Sequence, residues 1–301
     1  MDHPHPSMRG ATALTPYASL RLLLGLFKLR IGFVIALTAL AGVAIQPGAA
    51  LSLPQLLAVF LAVLLVSASA GAFNQYFEVD LDARMRRTRA RPFITGRLVR
   101  HPGWLALIVA LTLIGVGVAW AATNSSASLY TFLGGFFYAV VYTVWLKRRT
   151  WWNIVIGGAA GSFAVLAGAA AVAPSLSPQA LLLALILLLW TPPHFWSLAI
   201  VYRDDYAAVG VPMLPVVKGN RITGYAILAH TLALVLLSLV LAQWMGPLYL
   251  VAAVLGGAIF VHAAWTLARA PSVATARRCF FASLAQLSLL LLGILLEPMI
   301  R

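Results

Sequence analysis

The chain has 301 residues, of which 62% are hydrophobic and only 9% charged, and its mean hydropathy is +0.95. Soluble domains carry about 25% charged residues, so an ordinary soluble fold is excluded, as is disorder, which needs low hydropathy. The net charge of +14 does not point to nucleic acid, because the basic residues punctuate apolar runs instead of covering one soluble face. A single cysteine, Cys279, leaves neither a disulfide scaffold nor a cysteine-clustered metal site.

Residues 1–20, rich in proline at the start and carrying His3 and His5, read as a flexible cytoplasmic tail without a signal-peptide pattern. Residues 21–301 read as one transmembrane domain. Five segments hold no Asp, Glu, Lys or Arg: Ile31–Phe77, His101–Leu146, Thr150–Tyr202, Ile222–Ala268 and Cys279–Leu296. One helical crossing takes about 20 residues, and the first four segments have 46 to 53, room for two crossings and a turn. Each has turn chemistry near its middle: Gln46-Pro47-Gly48, Thr123-Asn124-Ser125-Ser126, Pro174 to Pro178, and Gln243 to Pro247. The runs lack the two-residue alternation of a membrane barrel. The expected fold is an all-α polytopic membrane protein of nine helices, two four-helix halves plus one. Twenty of the 21 Lys and Arg residues then fall on one side, and only Arg301 opposite. That asymmetry places the N-terminus in the cytoplasm and the C-terminus outside.

Five of the seven acids form two groups on the basic side: Glu78, Asp80 and Asp82 after the second span, Asp204 and Asp205 after the sixth. Asn74, Glu78 and Asp82 are spaced i, i+4, i+8 and would share a face if the second helix continues, with Asp80 pointing elsewhere. Oxygen donors at this spacing suit a hard cation such as Mg²⁺, which takes one or two carboxylates, waters and substrate phosphates. The other reading is that these acids neutralise the seven arginines of Arg84–Arg100. The scarcity of acids elsewhere favours a site. The arginines read as a topogenic or lipid-facing loop, or as a clamp for a diphosphate leaving group. Lys147-Arg148-Arg149 reads in the same two ways. Asp204-Asp205, by spacing alone, is a solvated loop.

These residues resemble a known family. Asn74–Asp82 with Met85–Pro92 is similar to the first aspartate motif of the UbiA-type intramembrane prenyltransferases. Two further stretches resemble the branch of that family that farnesylates protohaem IX. They are Tyr142–Thr150 with Asn153–Gly161, and Trp190-Thr191-Pro192-Pro193-His194-Phe195-Trp196 with Asp205-Tyr206 and Pro212–Pro215. The resemblance implies nine helices around a central cavity, farnesyl diphosphate and haem b as substrates, Mg²⁺ as cofactor and haem O as product. It also implies the cell inner membrane as location, and a haem A synthase or terminal-oxidase assembly factor as partner. Carried over by motif, it assigns Asn74, Glu78 and Asp82 to the first metal site and Asp205 to a second. Arg87, Arg91, Lys147 and Tyr206 become substrate contacts. His194 is expected either to contact haem or to bond a carbonyl freed by the adjacent prolines. Two positions depart from the pattern. Glu78 stands where the family usually has Asp, and Leu29 stands where it tends to have Pro, so Lys28 receives no role here.

Three other readings compete. A UbiA-type enzyme could prenylate a quinone precursor instead; the Thr191–Trp196 stretch argues for haem. A secondary transporter is disfavoured because every span lacks Asp, Glu, Lys and Arg. A non-enzymatic haem-binding protein is separable only by assay.

Overall fold

A computed structural model describes residues 16–300; His3, His5 and Arg301, with their expected placements, lie outside the described residues. The first described helix, α1, is Pro16–Leu26. It is followed by α2 (Leu29–Ile45), α3 (Leu53–Phe77), α4 (Val79–Arg84), α5 (Pro102–Ala122) and α6 (Ser125–Phe136). A π-helical stretch, Phe137–Leu146, prolongs α6. Then come α7 (Asn153–Gly157), α8 (Ala159–Val172), α9 (Pro178–Val201), α10 (Arg203–Ala208), α11 (Leu214–Leu241), α12 (Pro247–Arg269) and α13 (Val273–Ile300). No strand occurs among the described residues.

Among the described residues eight helices are long and apolar enough to cross a membrane, nine if the pair α1–α2, bent by 54°, counts as one span. The turns fall where the sequence put its breakers. Pro54, Pro102, Pro178, Pro215 and Pro247 all sit in first turns, where a missing N–H costs no intrahelical bond. Asn124 caps α6, its side chain accepting from the Ala127 N–H at 3.0 Å, while its Nδ2 donates to the Ala170 carbonyl at 2.7 Å. Gln46 clasps the neighbouring turn, donating to the Ser175 carbonyl and accepting from the Ser177 N–H.

Large apolar side chains face outward: Leu113, Trp120 and Leu236 are each more than 60% exposed, whereas the buried positions are crowded with alanine. Lipid tails solvate leucine as well as a protein interior does, so membrane helices gain more from small residues that allow close backbone contact. The crossing of α2 and α8 is the tightest case. A Cβ at Gly168 would lie 1.8 Å from the Ala39 carbonyl oxygen, and one at Gly42 would lie 2.1 Å from that of Val165. Gly168→Ala must therefore push the two helices apart. It is expected to cost about 1–3 kcal/mol, read as a lower melting temperature in detergent; an unchanged melting temperature would contradict this packing.

The two acid groups sit on the short helices α4 and α10, which follow α3 and α9 four spans apart. This is the correspondence expected of two similar halves. Helix α9 runs unbroken through Pro192-Pro193.

Candidate active site

The first acid group lies where α3 gives way to α4. The helical path barely falters: the Glu78 N–H donates to the Asn74 carbonyl at 3.1 Å and the Asp82 N–H to that of Glu78 at 2.9 Å. Asn74, Glu78 and Asp82 consequently share one inward face, 3%, 1% and 2% exposed. Asp80 points out and pairs with Arg148 through two bonds of 2.8 and 2.9 Å. The Arg148 hydrogen bonds hold the Asp80 carboxyl below its ordinary pKa, but both side chains are well exposed, and such pairs add little stability. Burial holds the Asp82 carboxyl above its ordinary value, against the pull of Arg91.

Each inward carboxylate is met by a cation. Lys147 Nζ donates to both Glu78 oxygens at 2.5 Å, and Arg91 pairs with Asp82. Asn74 Nδ2 donates to Glu78 Oε2 at 2.8 Å and to Thr143 Oγ1 at 3.2 Å. Lys147 reaches Glu78 because the end of its span is π-helical. The Lys147 N–H bonds the Tyr142 carbonyl and Thr143 Oγ1 bonds that of Tyr138, each pair five residues apart. Such widened turns bring residues five apart onto a common face and recur at functional sites.

The arginine loop ties the two acid groups together. Arg86 Nε donates to Asp205 Oδ1 at 3.2 Å, and the Arg87 N–H donates to Oδ2 at 3.3 Å. Arg87 Nη2 reaches the Tyr206 hydroxyl at 3.5 Å, and its guanidinium lies 5.7 Å from the Tyr202 ring centre. Asp204 is exposed while Asp205 and Tyr206 are buried, which separates the two acids as the motif implied. Arg86 and Arg91 pair with acids, and in doing so stand beside the carboxylates.

Two residues depart from expectation. Lys28, given no role by sequence, belongs to the site: its Nζ donates to Asn74 Oδ1 at 2.7 Å and to the Tyr138 hydroxyl at 3.0 Å. The only signal for it was a basic residue at the first break in apolar sequence, and the missing neighbouring proline hid it. Asn74 Oδ1, the one ligating atom of that side chain, is therefore taken up by Lys28, and Asn74 orients Glu78 in this arrangement. His194 is not brought to the carboxylates. Its Nδ1 bonds Ser283 Oγ at 2.8 Å, and its ring lies between Trp190 and Phe280 at 4.3 and 4.5 Å. These partners favour a packing role, with a hydroxyl of α13 in place of the expected freed carbonyl.

Among the described residues no three His, Cys, Asp or Glu side chains gather to hold a metal. Glu78 and Asp82 are instead a pair of hard oxygen donors whose charge already demands cations. That donor set fits Mg²⁺, which completes its shell with water and phosphate oxygens and not with a protein cage.

The fold matches a digeranylgeranylglyceryl phosphate synthase structure with a TM-score of 0.76 at 19% identity, covering 94% of this chain and 99% of that one. It also matches a UbiA homologue from Archaeoglobus fulgidus bound to DMAPP and Mg²⁺, with a TM-score of 0.67 at 12% identity, covering 89% and 98%. The chain belongs to the UbiA prenyltransferase family, whose model matches residues 35–285. It is 55% identical to protoheme IX farnesyltransferase 2 of Paramagnetospirillum magneticum over 94% of this chain and 99% of that protein. It is 42% identical to a protoheme IX farnesyltransferase of Thermus thermophilus, over 89% of this chain and 44% of that longer protein.

Proposed function

We propose that the chain transfers the farnesyl group of farnesyl diphosphate to a vinyl group of haem b, with addition of water, giving haem O and diphosphate. The transfer chemistry rests on Glu78 and Asp82 buried among Lys147, Arg91 and Lys28 at the end of apolar spans. The acceptor rests on the near full-length similarity to a protein named for protohaem IX.

Glu78 and Asp82, with Asn74 orienting Glu78, would hold one Mg²⁺, and Asp205 a second; the metal would neutralise the diphosphate and make it a better leaving group. Lys147, Arg87 and Arg91 bind the phosphate oxygens and offset the charge that develops as the C1–O bond breaks, its electron pair leaving with diphosphate. The outer vinyl carbon then bonds to farnesyl C1, a step governed by placement of the two substrates. The cation left on the inner vinyl carbon takes a water oxygen, and the water's proton is released to solvent. No strong base is needed for the carbon–carbon bond. The charge-free middles of the spans keep stray water from the allylic cation. Incubating the purified protein with labelled farnesyl diphosphate and equal amounts of haem b and a quinone precursor tests the acceptor. Label is expected in haem; label in the quinone precursor alone would overturn the assignment.

The bilayer concerned is the cell inner membrane, with the carboxylate end and the N-terminus on the cytoplasmic side. The native Cys279 is fully buried, so introduced cysteines can be read cleanly. A cysteine at exposed Ala90 is expected to react with impermeant reagent only from the cytoplasm, and one at exposed Ser125 only from outside. The reverse pattern would invert the topology.

A further inference from the structure

We propose that Lys28 is a positioning residue for the Glu78 carboxylate, acting through the Asn74 amide. Lys28 lies between α1 and α2 at φ 49° and ψ 39°, the one non-glycine residue of positive φ among those described. L-residues with a side chain rarely adopt this conformation, and the surroundings enforce it. Gln75 Nε2 donates to the Gly25 and Leu26 carbonyls at 2.9 and 3.0 Å, closing the end of α1. Opposite, α3 offers Gly71, where a Cβ would stand 3.3 Å from Lys28 Cδ and 3.4 Å from the Phe27 carbonyl oxygen. The bend thus turns the ammonium inward, onto Asn74 and Tyr138.

The consequence follows from donor chemistry. An ammonium donates and never accepts. Facing Lys28, Asn74 must present its oxygen, and its NH₂ is then directed at Glu78 Oε2 and Thr143 Oγ1. The flipped amide would set donor against donor at Lys28 and oxygen against carboxylate at Glu78. Lys28 thereby selects the amide orientation that holds Glu78, while Lys147 supplies the countercharge from the other side. The bend in the first span is the device that delivers this lysine, which gives the otherwise costly backbone conformation a function.

The turnover arm of the test rests on the farnesyl-transfer reading; the binding arm does not. Lys28→Gly suits the left-handed backbone and removes only the side chain, so the bend survives. In that variant kcat is expected to fall about 10- to 100-fold, as when other supporting partners of a site are removed, with KM for farnesyl diphosphate little changed. Lys28→Arg, which keeps donors, should recover much of the loss. Combining Lys28→Gly with Asn74→Ala should cost no more than the worse single change, because both break one chain of contacts. Independently, Mn²⁺ binding by electron paramagnetic resonance with farnesyl diphosphate present should weaken about tenfold in Lys28→Gly. Wild-type kcat and wild-type Mn²⁺ binding in a folded Lys28→Gly protein would overturn the role, as would fully additive losses in the double variant. If the wild type made no haem O, the functional reading would fall while Mn²⁺ binding still decided the role of Lys28.

Discussion

Glu78→Gln and Asp82→Asn are each expected to lower turnover by about 10²–10³-fold, the scale on which preorganised charge acts on a transition state, while leaving the protein inserted and folded. Each swap keeps shape and removes one of the two negative charges of the inward face, leaving its cation partner unmatched. The losses should appear in kcat and not in the haem KM. Asp80→Asn is the control: its carboxylate is exposed and bonded to Arg148 on the outer face, so turnover should stay near wild type. Glu78→Asp should retain turnover, because Asp keeps the charge and the long Lys147 side chain can follow it inward. Equal losses in the Asp80 and Asp82 variants would show that the two faces of α4 are not distinct in function.

Lys147→Met is expected to be the most damaging substitution for stability. It leaves Glu78, 1% exposed, as a buried carboxylate without its main countercharge. Removing one partner of a buried pair costs about 3–5 kcal/mol, more than the intact pair contributes, because the remaining ion stays desolvated. The double variant Lys147→Met/Glu78→Gln should recover most of that stability, since no net charge is left behind, yet recover no turnover. Thermal unfolding in detergent reads the first effect and haem product the second. If the double variant were no more stable than Lys147→Met alone, the loss would have to come from contacts of the ammonium other than Glu78, such as the Tyr142 ring 5.8 Å away.

The spans and their turns were legible because a bilayer enforces a coarse code: charge keeps to the ends of the spans, and Pro, Gly, Asn and Ser gather at the turns. The inward face of Asn74, Glu78 and Asp82 was legible for a similar reason, since helical spacing survives the break at Glu78. Lys28 was not legible, because its placement depends on a left-handed residue and on Gly71 and Gln75 of another helix, which local pattern does not encode. The π-helical stretch was hidden too: a run of Phe, Tyr and Val between Phe136 and Lys147 does not reveal a five-residue hydrogen-bond period. His194 stood inside a motif, but a motif does not say which atoms its side chain meets, and here these are Ser283, Trp190 and Phe280.

The most direct measurement is mass spectrometry of the haem extracted after incubating purified protein with haem b, farnesyl diphosphate and Mg²⁺. A haem heavier by one farnesyl group and one hydroxyl, absent with Asp82→Asn, is the predicted product. Unaltered haem b from active wild-type preparations, or a farnesyl adduct without the hydroxyl, would contradict the account.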